Sequence, residues 1–361
     1  MPEPYPSSST LYGSLPCGRE FRAEIDAGWP AASRIMSEPP GEFQLIRALC
    51  RGLRNSRATL VGPGDDCAVL AVDGVKLLAT VDSLVEDVHF KLDWFTPEKL
   101  GVRALTVNLS DVAAMGGDPT ACVIDLALRD NLPERFAERL YRGLKSAARE
   151  AKVDIVGGNV TRAGQVMISI SLLGRIRAGI LERDNARPGY GIFVTGTLGD
   201  AALGWRILDG RLRAAGRTRR FLVQRYISPS ARLSAGRALA ELIPTPAAID
   251  LSDGLAGDLR HILKASRVSA EVDAGLIPVS TAYRAVVGDD LELALSGGDD
   301  YELLFCMPER YSGDELSRRL GVRVTRIGRV MKRGSGLKIA NLAKPPYAGA
   351  LRGWDHLRQS S

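Results

Sequence analysis

Aromatic residues are scarce, at 6% of the 361 residues. Single-stranded nucleic acid is bound on aromatic platforms interleaved with basic side chains. No Lys/Arg block and no basic aromatic stripe occurs in the chain. The formal net charge of +6 is mild and carries no nucleic-acid reading. Histidine is also rare: His89, His261 and His356 stand far apart. With no H-E-x-x-H run and no Cys/His cluster, the sequence argues against a zinc centre. Cys17, Cys50, Cys67, Cys122 and Cys306 include no C-x-x-C pair. They read as reduced thiols of a cytoplasmic protein. No apolar run approaches the ~18 residues of a membrane span, and the N-terminus has no apolar signal region. Neither a membrane partner nor secretion is expected.

The usual nucleotide motifs are missing too. There is no G-x-x-x-x-G-K-[ST], no kinase H-R-D or D-F-G, no G-x-G-x-x-G after a strand, and no G-x-S-x-G elbow. Any ATP must then be held through carboxylate–Mg²⁺ bridges rather than by a lysine-bearing phosphate loop.

What is present is an ordinary globular mixture, 45% hydrophobic and 25% charged. The length suits roughly two domains at about 150 residues each. Residues 1–40 are rich in Pro, Ser, Gly and Glu without a persistent apolar face, and read as a mostly disordered extension. Met36 stands just before the first patterned segment and is a candidate start. From Gly41 onward strands and helices alternate. Helices are expected over 42–53, 99–115 and 132–151, with strands over 75–81, 122–128, 153–156 and 166–173. After a Gly/Arg-rich stretch at 174–179, strands are expected over 192–195, 247–250, 301–306 and 322–327. Helices are expected there over 200–208, 232–242 and 254–265, and a basic, solvated surface segment over 211–220. The fold class is α/β to α+β, with an N-terminal mixed-sheet domain at 41–178 and a C-terminal α+β domain at 179–361.

Carboxylates stand beside glycines and at strand ends: Gly62-Pro-Gly-Asp-Asp66, Thr80-Val-Asp82, Asn108-Leu-Ser-Asp111, Asp250-Leu-Ser-Asp253-Gly254 and Ser296-Gly-Gly-Asp-Asp300. Singly, each is commonly a turn or a helix cap. Together they point further. Asp111 lies among small apolar residues, where an unpaired carboxylate costs several kcal/mol. Several such groups converge only around cations, and hard oxygen ligands select Mg²⁺ or Ca²⁺. Gly157-Gly158 and Gly297-Gly298 allow close backbone approach to a ligand. The residues alone thus describe a Mg²⁺-dependent enzyme acting on a phosphate or nucleotide.

The ordered series Gly41-Glu-Phe-x-Leu-Ile46, Gly62-x-Gly-Asp-Asp66, the run from Thr80 to Phe90, the run from Ala104 to Gly116, the run from Ile249 to Leu255, the run from Ser296 to Phe305 and Gly353-Trp-Asp-His356 resembles the thiamine-monophosphate kinase family. The resemblance spans 41 to about 357, nearly everything outside the extension. It implies phosphorylation of thiamine monophosphate by ATP, several Mg²⁺ ions, and a homodimer built through the N-terminal domains. Carried over, the metal ligands are Asp66, Thr80, Val81 through its carbonyl, Asp82, Asp111, Asn159, Asp250 and Asp253. Gly158, Asn159, Arg183 and Ser252 contact ATP. His89, Asp299 and Trp354 line the acceptor site. Such a His is commonly structural and a C-terminal Trp commonly core, but the motif context outweighs both readings.

Two positions depart from the family pattern. Asn159 stands where a metal-binding Asp is usual, and Asp299 where a Glu is usual. Two alternatives follow: another ATP-using enzyme of the wider superfamily, or a nucleotide-binding module whose catalysis is impaired.

Overall fold

The computed structural model describes residues 42–334 and 336–342, and from Ala48 onward these form one compact unit. The extension at 1–40 and Trp354 lie outside the described residues. Helix α1 (Glu42–Leu49) ends four residues earlier than its pattern suggests. Six strands follow: β1 (Thr59–Val61), β2 (Ala68–Val72), β3 (Val75–Val85), β4 (Asp118–Leu128), β5 (Asp154–Arg162) and β6 (Met167–Ile176). They pair in the order β1-β2-β3-β6-β4-β5, with β4 and β5 parallel and the other neighbours antiparallel.

Helices α2 (Pro97–Ala114) and α3 (Phe136–Ala151) cover one face of this sheet and share its core. Strand β6 shows why only one face is covered. Ile168, Ile170 and Leu172 are buried, while Ser171, Leu173 and Arg175 are exposed. Helix α2 starts where Thr96 accepts a hydrogen bond from the Lys99 N–H at 3.3 Å, with Pro97 in the first turn. It packs against α3 at backbone contact. A Cβ on Gly101 would lie 2.2 Å from the Leu140 carbonyl oxygen, and one on Gly143 would lie 1.9 Å from that of Glu98. Helix α2 is so enclosed that its polar side chains Arg103, Asn108 and Ser110 are buried with the rest.

A second six-stranded sheet contains β7 (Tyr190–Thr195), β8 (Ala247–Asp250), β9 (Ser269–Asp273), β10 (Leu303–Pro308), β11 (Val324–Met331) and β12 (Leu337–Ala340). Its order is β12-β9-β11-β7-β10-β8, antiparallel except for β12 beside β9. Helices α4 (Asp200–Leu208), α5 (Gly216–Ile227), α6 (Leu233–Ala240), α7 (Leu255–Ser266), α8 (Thr281–Val287), α9 (Glu292–Ser296) and α10 (Gly313–Leu320) accompany it among the described residues. Both faces are buried. Ile192 and Val194 of β7 enter one apolar cluster, and Phe193 enters the other, stacked 5.5 Å from Phe305. A strand buried on both sides reads as a continuous apolar run, as β7 does.

The mixed α/β class with two mixed sheets agrees with the sequence reading. Several boundaries do not. The strand expected at 75–81 continues to Val85, held by unbroken pairing with β6 from Lys76 to Val85. The strand expected at 153–156 runs on through Gly157-Gly158 to Arg162, because β4 offers it a full parallel partner. The helix expected from 132 starts at Phe136, since Pro133 sits in a turn and Arg135 is left-handed at φ 57°. The basic segment at 211–220 includes the first turn of α5, a helix its charge pattern hid.

Candidate active site

Helix α2 gathers the site. Near its C-terminal end three polar residues reach two strands of different sheets, β3 and β8. Asn108 accepts the Asp82 N–H of β3 at 3.0 Å. Ser110 donates to Asp250 Oδ2, at the end of β8, at 2.6 Å. The Thr80 hydroxyl of β3 lies 2.6 Å from Asp111 Oδ2 and 3.3 Å from the Asp66 carbonyl. Carboxylate oxygens of Asp66, Asp111 and Asp250 consequently lie within 4.8 Å of one another. Arg183, in a short turn after the first sheet, closes the group. Its Nη2 donates to Asp66 Oδ1 at 2.6 Å, its Nη1 to the Gly64 carbonyl at 3.3 Å, and its backbone N–H to Asp65 Oδ2 at 3.1 Å.

One arginine faces too many carboxylates. Burial, and then Asp66, push Asp250 up to about 8. Burial, and then Asp250 and Asp82, raise Asp111 well above the usual carboxylate range. Burial and Asp66 bring Asp65 to about 7 against the opposing pull of Arg183. Burial disfavours the Arg183 charge, yet Asp66 and Asp65 keep it protonated. Asp66 Oδ2 is buried with no hydrogen-bond partner. A buried, unsatisfied carboxylate oxygen among other carboxylates calls for a cation, and an all-oxygen donor set suits Mg²⁺ or Ca²⁺. These residues fit such an ion.

The other expected residues divide. Asp82 lies close enough to raise Asp111, and its Oδ1 accepts the Ser83 N–H at 2.8 Å. Asp253 lies just past β8, and its N–H donates to the buried carboxylate of Asp258 at 3.2 Å. Val81, expected to act through its carbonyl, turns its side chain to the exposed face opposite Thr80. The Ser252 carbonyl accepts the Asp299 N–H at 2.9 Å, which sets these two beside each other. Asp299 Oδ1 accepts from Arg103 Nη2 at 2.5 Å and from the Tyr301 hydroxyl at 3.0 Å. His89 Nδ1 accepts the Val85 N–H at 3.0 Å, so the neutral ring carries its proton on Nε2. Gly158 lies in line with Asp82 across β6 and β4. Beside Gly157 a groove of about 780 Å³ runs between α3 and β5, lined by Tyr141, Lys145 and Arg149 among others.

Asn159 is a correction. The sequence places it with the metal ligands. The structure pairs it with Asp125, Nδ2 to Oδ1 at 3.2 Å, on edge strand β5. That pair shares a row with Ser169 and Ser83, on the sheet face opposite Thr80 and Asp82. Within one chain Asn159 does not join Asp66, Asp111 and Asp250.

Sequence reasoning missed Arg103, Asn108, Ser110, Asp258 and Tyr226. The first three carried a usable signal, because polar residues inside an apolar helix need partners. Tyr226 carried none, since its contacts form only when α5 folds back.

The fold and the acidic centre define a class. The family described as AIR synthase related protein, N-terminal domain, matches residues 64–176. Closer relatives narrow it. Thiamine-monophosphate kinase of Salmonella typhimurium is 40% identical over 324 residues, 88% of this chain and 98% of that protein. The Aquifex aeolicus enzyme is 34% identical over 320 residues, 88% of this chain and 98% of that one. A solved structure described as "AaThiL complexed with AMPPCP and TMP" matches with TM-score 0.75 and 35% identity, covering 88% of this chain and 97% of that one. The chain belongs to the thiamine-monophosphate kinase family.

Proposed function

We infer that the protein transfers the terminal phosphoryl group of ATP to the phosphate of thiamine monophosphate, giving thiamine diphosphate and ADP. The observation that carries this is the meeting of Asp66, Asp111 and Asp250 within 4.8 Å, in a chain 40% identical to a thiamine-monophosphate kinase. Asp66, Thr80, Asp82, Asp111 and Asp250 would hold Mg²⁺, with Asp253 and the Val81 carbonyl at the margin. An Mg²⁺ bound there would neutralise and align the phosphate oxygens.

The chain's own residues supply the rest. Arg183 brings a fixed positive charge to the ATP phosphates, beside Ser252, and Gly158 lets the backbone come close to the nucleotide. The Nε2–H of His89 is a donor for the acceptor phosphate, and the Asp299 carboxylate faces the cationic ring, on which Trp354 stacks. A phosphate monoester with second pKa near about 6 is largely dianionic at pH 7 and already nucleophilic. The site therefore has to align and neutralise rather than remove a proton, and transfer is direct.

Three coarser features complete the proposal. The uncovered face of the first sheet exposes Val81, Val123 and Leu173, which supports a homodimer formed there. The change of sheet between Ile176 and Tyr190 supports a domain division near residue 178. The four cysteines among the described residues are free, and ATP is the co-substrate, which supports a cytoplasmic location; among the described residues no helix is long and apolar enough to cross a membrane. The test is ADP release measured against a panel of acceptors. Turnover with thiamine monophosphate above all others supports the reading, and preference for another acceptor sinks it.

A further inference from the structure

Among the described residues Arg103 is the largest fully buried side chain, and it lies two turns before Asp111 on α2. Its guanidinium serves two distant parts of the chain at once. Nη2 donates to Asp299 Oδ1 at 2.5 Å, and Nη1 donates to the Tyr226 carbonyl. The same group lies 4.6 Å from the Tyr226 ring centre and 5.8 Å from that of Tyr301. Tyr301 returns its hydroxyl to Asp299 Oδ1 at 3.0 Å, and Tyr226 gives its own to the His89 carbonyl at 2.9 Å. One buried cation therefore ties His89, from the segment after β3, to Asp299, from the loop before β10.

The arrangement has features that packing alone does not require. Asp299 and Tyr301 both hold left-handed backbone, at φ 70° and 50°, a conformation that costs an L-residue about 1 kcal/mol or more. Asp299 Oδ1 takes both donors, which leaves Oδ2 without a protein donor among the described residues, on a side chain 33% exposed. A buried ion pair is commonly no more stabilising than apolar residues of the same volume. Strain, a buried charge and one carboxylate oxygen left without a protein donor among the described residues are what a preorganised binding group looks like.

We propose that Arg103 is a positioning residue for the acceptor, holding the Asp299 carboxylate and, through Tyr226, the His89 segment in one frame. Arg103 and Asp111 share a rigid helix, eight residues or about 12 Å of rise apart, and the other side of the frame is pinned next to Asp250, where the Asp299 and Tyr301 N–H groups donate to the Ser252 and Leu251 carbonyls at 2.9 and 2.8 Å. Helix α2 and the Leu251–Ser252 backbone thus tie the acceptor contacts to the metal carboxylates. The inference rests on the reading of Asp299 and His89 as acceptor contacts. Arginine suits the task because its planar fork makes two directed bonds while stacking on a ring, which lysine cannot reproduce.

The test uses the full-length enzyme and the variants Arg103→Lys, Tyr226→Phe and Asp299→Asn. KM is measured for thiamine monophosphate and for ATP separately, with direct binding of thiamine monophosphate and thermal melting alongside. Arg103→Lys should raise the KM and Kd for thiamine monophosphate about tenfold or more, as expected for loss of a charge-assisted hydrogen bond. The ATP KM should stay within about twofold, since no ATP contact is lost. Tyr226→Phe should give a smaller rise in the same parameter. If Asp299→Asn weakens thiamine monophosphate but Arg103→Lys does not, the positioning role is wrong and the acceptor site stands. If Asp299→Asn leaves thiamine monophosphate binding intact, the acceptor reading itself fails and takes the proposal with it. An equal rise in both KM values with a lower Tm would mark Arg103 as merely structural. Should Arg103→Lys fail to fold, Tyr226→Phe decides, and an unchanged KM for thiamine monophosphate overturns the proposal.

Discussion

The two halves of helix α2 solve the problem of buried charge in opposite ways. Around Arg103 the protein matches one cation with a carboxylate, a carbonyl and two aromatic faces, leaving its buried Nε without an acceptor. Around Asp111, two turns later, it assembles carboxylates and supplies a single arginine. The first half is balanced from within. The second is unbalanced and depends on something arriving from solution. A buried charge matched by a counter-charge fixes geometry, whereas one left short of counter-charge binds.

That contrast can be broken most severely at Asp111. Asp111→Asn should lower kcat by on the order of 1,000-fold, comparable to loss of a main transition-state electrostatic contact. Calorimetry should show weakened Mg²⁺ binding. A dead variant with unaltered Mg²⁺ affinity would remove Asp111 from the ligand set. Next in size is Ser110→Ala, which frees Asp250 Oδ2 from its donor. Loss of a residue that orients a metal ligand typically costs about 10–100-fold in metal affinity. A Mg²⁺ titration of activity reads it, and an unshifted midpoint contradicts it.

The unbalanced half also predicts a pH effect on the metal-free protein. Asp250 is held up to about 8 and Asp65 to about 7 in the folded state. A group whose folded pKa is raised contributes stability below its unfolded pKa and loses it as pH rises through the folded value. The Tm without divalent cation should therefore fall between about pH 4 and pH 8, and saturating Mg²⁺ should flatten the fall. A metal-free Tm that rises across that window contradicts the crowding of charge.

The smallest effect is expected at Asn159→Asp. The new carboxylate would oppose Asp125 on the exposed sheet face, a change of about 0.5 kcal/mol. The Mg²⁺ dependence of activity should not move. A lower Mg²⁺ requirement would restore Asn159 to the metal ligands.

Much of this was legible in the chain, unevenly. Asp66, Asp111 and Asp250 could be found because carboxylates beside glycines and inside an apolar helix need an explanation. The long amphipathic helices followed from their period. The length of β5 could not be read from Gly157-Gly158, which looks like a turn until β4 offers a partner along its whole length. Nor could the face of Asn159, since residue spacing gives alternation but not which side the helices cover. The Tyr226–Arg103–Asp299 connection joins residues 226, 103 and 299, and no local pattern encodes contacts over such separations.

Strand β3 carries Thr80 and Asp82 on one side and Val81 on the other, paired with β6 in one uninterrupted register from Lys76 to Val85. A slip of a single residue would exchange those sides, turning the carboxylate toward solvent and the valine into the acidic cluster. Insertions and deletions are therefore barred from this stretch far more strictly than substitutions. Length variation in the chain should collect instead in connections such as 209–215, where a residue more or less alters no pairing.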